Sequence, residues 1–279
     1  MPVRCHRLVL PLLVALAPLV ALAIVLLPRV ASAQITPRPL PFTYGYATNG
    51  EGATEIEQYV DLTPAKGTSP TGDTRWFLAS QFQTEFEYGI TNHLELGLYV
   101  TFAPQPPDLT GVELTEGTGA KQRLRYRIAE EGEWPLDVAL YGELVENDHE
   151  IEVEGKIILQ KRFGRLLVAS NLWAEFERYY THEKAVVFNP TLGATYQISP
   201  VVNPGIEAWM RAELSSPVEH PVPFGHGPHV LVGPAMMLNF GSFWWSTGVY
   251  LRATDYGRSP EPGDAPGAVW GRMIVGLQL

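Results

Sequence analysis

Cysteine is all but missing: a single one, Cys5, stands near the start of 279 residues. Disulfide scaffolds and thiolate metal sites are therefore excluded for everything downstream. Basic residues are also few, with Lys and Arg totalling 20 against 30 Asp and Glu, a net charge of -10. Residues 1–33 hold Arg4, Arg7 and Arg29 and no acid, so the remainder stands at -13. Such a chain offers no basic face to phosphates, which argues against nucleic acid as a partner. After residue 33 no apolar run approaches the roughly 20 residues of a membrane helix, and no segment carries a helical period of useful length. Gly-x-Ser-x-Gly, the P-loop and the dinucleotide fingerprint are absent too, so the sequence implies no cofactor.

What is present begins with a secretory signal. Arg4, His6 and Arg7 precede an apolar run, Leu8 to Leu27, and Ala31-Ser32-Ala33 before Gln34 fits a small-residue cleavage site. The run is long and contains Pro11 and Pro18, so an uncleaved single-span anchor is the other reading. Residues 34–53, rich in Pro and Gly, are expected as a periplasmic lead-in to a domain over 54–279.

That domain is built on alternation. From Arg75 to Ile90, Trp76, Leu78, Phe82, Phe86, Tyr88 and Ile90 share one parity, while Arg75, Gln81, Gln83, Glu85 and Glu87 share the other. After Thr91-Asn92, Leu94, Leu96, Leu98, Val100 and Phe102 alternate with His93, Glu95, Gly97, Tyr99 and Thr101. Side chains of a strand point to opposite faces with period two, so this is a hairpin with one apolar wall and one charged wall. The pattern recurs along the chain and gives twelve strands: 54–62, 75–90, 94–102, 120–128, 136–146, 151–163, 166–179, 187–198, 202–214, 229–240, 243–253 and 268–279. Pro190, Pro204 and Pro234 fall in or at the start of strands, where each implies a bulge, a strand end or a shifted boundary, because proline lacks the ladder donor.

A soluble sandwich would turn the apolar wall to a second sheet; an outer-membrane barrel turns it to lipid and the charged wall to the lumen. Loop lengths favour the barrel. Alternate connections are short, at 91–92, 163–165, 199–201 and 241–242, with 129–135 the longest of them; the others include long loops at 63–73, 103–118, 215–228 and 254–267, with 147–149 a short exception, a sorting that outer-membrane barrels show. Outward charges are limited to Glu146, Lys161 and Arg178 near strand ends. Outward aromatics gather into two belts: Tyr88, Tyr126, Phe163, Tyr196, Phe240, Phe243 and Trp245 at one end, Trp76, Phe102 and Phe176 at the other. The expected fold class is all-β, a transmembrane antiparallel up-and-down barrel of about twelve strands, monomeric, in the outer membrane of a Gram-negative-type bacterium with its lipid as partner.

The inward parity forms a charge ladder of Glu85, Glu87, His93, Glu95, Lys121, Arg123, Arg125, Arg127, Glu152, Glu154, Lys156, Glu175, Glu177, Glu207 and Arg211. Two readings stay open. The ladder fixes register through cross-strand ion pairs, or it lines a passage that sorts solutes by charge. Full closure of the lumen by such pairs would remove the channel reading. Glu213 belongs to the acidic side as well. His220, His226 and His229 are grouped in or beside one loop but match no ligand motif, so no metal site is expected. Asp108, Glu113, Glu116, Asp255, Glu261 and Asp264 in the loops lack an EF-hand pattern. An outer-wall lipid hydrolase needs a lipid-exposed histidine beside a serine, and the outward serines Ser80 and Ser170 have none, so no enzyme is expected.

The run Glu87-Tyr88-Gly89-Ile90-Thr91-Asn92-His93-Leu94-Glu95-Leu96-Gly97-Leu98 resembles a hairpin typical of the MetA-pathway-of-phenol-degradation "transporter" family. Residues 135–143 and Gly233-Pro234 resemble later pieces of the same pattern, and Leu279 departs from the aromatic ending common in barrels. The resemblance implies an outer-membrane barrel taking up small, often aromatic or apolar compounds, with no catalytic residues to carry over. The expected function is a narrow passive channel for small solutes, with a non-conducting structural or interaction barrel, using its long loops, as the alternative.

Overall fold

The computed structural model of the chain describes residues 38–104, 106, 108–109, 117–181, 184–215, 228–254 and 268–279. Thirteen strands run in order: β1 (Thr54–Thr68), β2 (Thr74–Gly89), β3 (Leu94–Phe102), β4 (Gly119–Arg127), β5 (Asp137–Asn147), β6 (Glu150–Phe163), β7 (Leu166–Tyr179), β8 (Lys184–Phe188), β9 (Thr191–Tyr196), β10 (Val202–Ser215), β11 (His229–Asn239), β12 (Phe243–Arg252) and β13 (Val269–Gln278). Every pairing is antiparallel. Besides the sequential neighbours, β1 pairs β13, which closes the sheet into a barrel.

Strands β8 and β9 are one stave of the wall broken in the middle. Both pair β7 on one side and β10 on the other, and Phe188↔Ala174 and Thr191↔Asn171 belong to one unshifted register. The break falls at Asn189-Pro190, where proline cannot donate to the ladder. Twelve staves result, as the alternation requires. Pro204 and Pro234 stay within β10 and β11 without breaking them. The first strand runs on to Thr68, six residues past the last clearly alternating hydrophobe, Leu62. That extension pairs with β2 out to Thr68↔Thr74, although Pro64-Ala65-Lys66-Gly67 carries no strand pattern of its own.

Parity is realised over most of the wall. On β3, Leu98 is 46% exposed while Tyr99, its neighbour, is 4% exposed. Outward Trp76, Phe102 and Phe176 are exposed toward the long-loop end, and Tyr88, Tyr126, Tyr196, Phe240, Phe243 and Trp245 toward the short-turn end. Of the three outward charges expected, Glu146 and Arg178 are exposed, whereas Lys161 is buried at the end of β6. The short turns use local chemistry. Thr91 Oγ1 accepts the amides of His93 and Leu94, and Gly164 and Gly241 hold φ of 61° and 88°, which side chains rarely adopt. No helix of the described residues is long and apolar enough to cross a membrane, which says nothing of a strand-built wall.

Residues 34–53, expected as a periplasmic lead-in, differ where they are described. Residues 38–46 are buried inside the barrel. The reason is compositional: Leu40, Phe42, Tyr44 and Tyr46 repeat at every second position, and the lumen supplies both aromatic surface and hydrogen-bond acceptors for the segment.

Candidate functional site

The lumen is assembled from the inward parity of all twelve staves and from residues 38–53, which enter at the short-turn end. Near that end Asn49 donates its amide to Glu95 at 2.6 Å and its side chain to Glu87 at 2.7 Å, and Thr48 donates to the Asn92 carbonyl. Deeper in, the Tyr44 amide donates to Asn171 Oδ1 at 2.8 Å, and Asn171 Nδ2 returns a bond to the Tyr44 carbonyl at 3.1 Å. The amides of Phe42 and Thr43 both donate to the Glu207 carboxylate, which also receives the Tyr250 hydroxyl. A backbone outside any sheet still needs partners for its amides when buried, and here inward side chains of β3, β7 and β10 provide them.

Apolar packing fixes the same segment. The Phe42 ring stacks on Trp209 at 4.6 Å and meets Tyr250 and Trp270 edge-on, with the Arg272 guanidinium 3.9 Å from its centroid. Leu40 sits against Gly193 and Gly205, where a Cβ on Gly193 would come within 2.4 Å of its side chain. Arg38 lies over the Tyr44 ring at 3.8 Å, donates to the Tyr59 hydroxyl at 2.8 Å and faces Glu57 at 3.6 Å. Each amide held by a carboxylate contributes about 1.5–3 kcal/mol net, and burying a phenylalanine about the same. These bonds and ring contacts are what seat the strap formed by residues 38–46 against the work of ordering its backbone.

The charge ladder resolves into ion pairs. Arg123 is the hub: it binds Glu85 at 2.7 Å, Glu95 at 2.6 Å and Glu87, and donates to the Tyr99 hydroxyl. It can reach across β3 because Gly97 is its register partner, and a Cβ there would lie 2.6 Å from both Arg123 Nε and Glu85 Oε1. Arg125 pairs Glu95 at 2.6 Å, and Lys121 faces Glu143 at 3.7 Å. Arg127 binds Glu130 at the short-turn rim. Lys156 pairs Glu154 and Arg211 pairs Glu175 and Glu177. Glu207 holds the strap. Glu152 is buried on β6.

His93 departs from the expectation of a lumen residue. It sits on the rim, 35% exposed, with Nδ1 2.9 Å from the Arg127 carbonyl and Nε2 3.3 Å from Glu130. It is one residue ahead of β3, so the turn rather than the pleat sets its direction. Sequence reasoning also missed Asp61, which binds Arg272 at 2.7 Å and Trp270, and Glu55, which receives the Trp244 indole. Their alternation was visible in β1; their partners lie more than 180 residues away. His229 is buried, while His220, His226, Glu113, Glu116, Asp255, Glu261 and Asp264 lie outside the described residues, as does the Glu213 side chain.

Between the strap and the long-loop end remains a cavity of about 70 Å³, walled by Phe42, Trp173, Trp209, Trp270, Glu152 and Arg211 among others. At roughly 10–15 Å³ per water by this measure, it holds a handful of waters.

No family model matches the chain, and no curated protein matches it in sequence. Solved structures do. An outer membrane channel from Pseudomonas putida F1 aligns with a TM-score of 0.61 at 10% identity, over 84% of this chain and 98% of that one. The NanC porin aligns with a TM-score of 0.56 at 8% identity, over 81% of this chain and 100% of that one. At these identities the likeness is one of fold, a closed antiparallel barrel of the outer-membrane kind.

Proposed function

We propose that this chain is an outer-membrane barrel that passes small solutes passively, and that residues 38–46 hold the passage shut in the arrangement described. The observation that carries the reading is the strap itself. The middle of a twelve-stave lumen is filled by a segment covalently joined to the wall only through residues 47–53, so displacing it opens space that fixed wall side chains do not occupy. Barrel width grows with strand number, and side chains alone fill eight strands but leave a water channel at sixteen to eighteen, so at twelve the strap decides. The buried lumen carries more acids than bases, which favours cations over anions of equal size. Export through cleavage after Ala33 is part of the same reading, since it would leave Gln34 a few residues ahead of the seated strap.

Solute entry into liposomes tests this. Glycine 193 gives the seat of Leu40 its room, so Gly193→Leu overpacks that contact, at a cost of about 1–3 kcal/mol. The open population should rise roughly 5- to 150-fold, read as faster swelling in a small neutral solute than for the unaltered chain. Equal and negligible swelling for both would favour the second reading, a non-conducting barrel, which the completeness of the Arg123 and Arg211 ion pairs supports.

A further inference from the structure

Three neighbouring strands set like charges abreast. Glu143 on β5 is the register partner of Glu154 on β6, and Glu154 that of Glu175 on β7; two residues along, Glu152 faces Glu177. Like charges directly opposed destabilise a sheet, so the arrangement calls for positive charge between them. The wall supplies some. Lys121, Lys156 and Arg211 pair with Glu143, Glu154, Glu175 and Glu177. Glu152 has no hydrogen bond or ion pair among the described residues, although it is only 7% exposed.

A second observation points into the same space. Asn189 Oδ1 and Thr191 Oγ1, on residues 5% and 3% exposed, are buried without a hydrogen-bond partner, and both residues line the cavity that Glu152, Glu154 and Glu175 line. Buried polar atoms are rarely left unmet, so this cavity has the lining of an occupied site. The cavity reaches the break between β8 and β9, where the Asn189 amide keeps the register by donating to the Trp173 carbonyl at 2.9 Å and its side chain faces inward.

One carboxylate oxygen from each of Glu152, Glu154 and Glu175 lies within 4.8 Å of the other two. Oxygens on one Ca²⁺ sit about 2.3–2.6 Å from it and so no more than about 5 Å apart, whereas Mg²⁺ draws its ligands to about 2.0–2.1 Å. Three such oxygens can share one Ca²⁺, and a wall of carboxylates suits that ion, whereas Mg²⁺ usually keeps several waters and takes only one or two carboxylates. Lys156 and Arg211 each engage one oxygen of Glu154 and Glu175, which leaves the second oxygen of each, and both of Glu152, for a ligand. We propose that Glu152, Glu154 and Glu175, in the cavity that the unpartnered Asn189 Oδ1 also lines, form a Ca²⁺-sized cation site in the lumen wall. Its ligand is a hard divalent ion held by carboxylates. The site stands whether or not the barrel conducts, because every contributing residue belongs to the wall.

Terbium(III), which shares the oxygen preference and size of Ca²⁺, is the probe, because Trp173 lines the same cavity and can sensitise its emission. The full chain, refolded in detergent free of lipopolysaccharide, should show Tb³⁺ emission on indole excitation. Ca²⁺ should displace it at concentrations at least about tenfold below those of Mg²⁺. Glu152→Gln removes an unpaired buried charge rather than a partner, so it should fold while weakening Tb³⁺ at least about tenfold. Independently of any variant, saturating Ca²⁺ should raise the thermal midpoint of the unaltered chain, since a ligand bound only by the folded state stabilises it. Absence of sensitised emission, binding by Glu152→Gln equal to that of the parent, or a midpoint indifferent to Ca²⁺ would each overturn the proposal.

Discussion

Deleting residues 38–46 should turn a silent barrel into one with discrete, cation-favouring conductance steps in a planar bilayer. The wall does not depend on the strap for closure, because β1 pairs β13 through eight register partners from Glu55↔Gln278 to Leu62↔Gly271. Removal therefore empties the lumen without opening the sheet. It exposes Glu207 and Asn171 to water, groups that now accept strap amides, and it takes away the positive charge of Arg38 beside Glu57. Both changes leave the passage more acidic, hence the preference for cations. The full chain should show only rare, brief steps, since the seated strap is buried in the lumen and bonded to Glu207 and Asn171. Silence from the deleted chain, with its heat-sensitive gel mobility intact, would mean that wall side chains close the barrel unaided.

Replacing Arg123 with alanine should cost the barrel about 3–5 kcal/mol, the loss expected when one member of a buried ion network is removed and the others stay charged. Three carboxylates, Glu85, Glu87 and Glu95, converge on that guanidinium, and Arg125 reaches only two of them. Equilibrium unfolding in urea from lipid vesicles would read the change. Adding Glu87→Gln to Arg123→Ala should recover part of the loss, because one of the stranded charges is then gone. A cost below about 1 kcal/mol, the range of solvent-exposed pairs, would show that water already screens the network.

The sequence made the wall legible because period two survives almost everywhere in it: Leu94 to Phe102 and Lys121 to Arg127 state face and register together. Glu95 and Arg125 both read as inward from that pattern, and the sheet sets them opposite one another. Arg123 as a hub did not, since its reach depends on Gly97 lying opposite, a cross-strand fact that no single strand displays. The end of β1 was hidden because Pro64 to Gly67 show no alternation, although Lys66 lies over the Trp76 ring and Ala65 packs with Phe77 in the sheet. The strap was the largest omission. Its Pro and Gly content reads as a linker, and only the aromatic repeat Phe42, Tyr44, Tyr46 hinted at burial. Nothing local marks Glu207 and Asn171, more than 120 residues on, as the acceptors of its amides.

The two-faced wall underlies all of this, and a nitroxide scan tests it most directly. With Cys5 replaced by serine, single cysteines placed in turn from Leu94 to Phe102 and spin-labelled in lipid vesicles report collision with oxygen, which partitions into lipid, and with a water-soluble nickel chelate. Oxygen accessibility should peak at 96, 98, 100 and 102 and fall at 95, 97, 99 and 101, with the chelate excluded from the former set. A flat profile, or chelate access at 98 and 100, would contradict a wall whose outer face meets hydrocarbon.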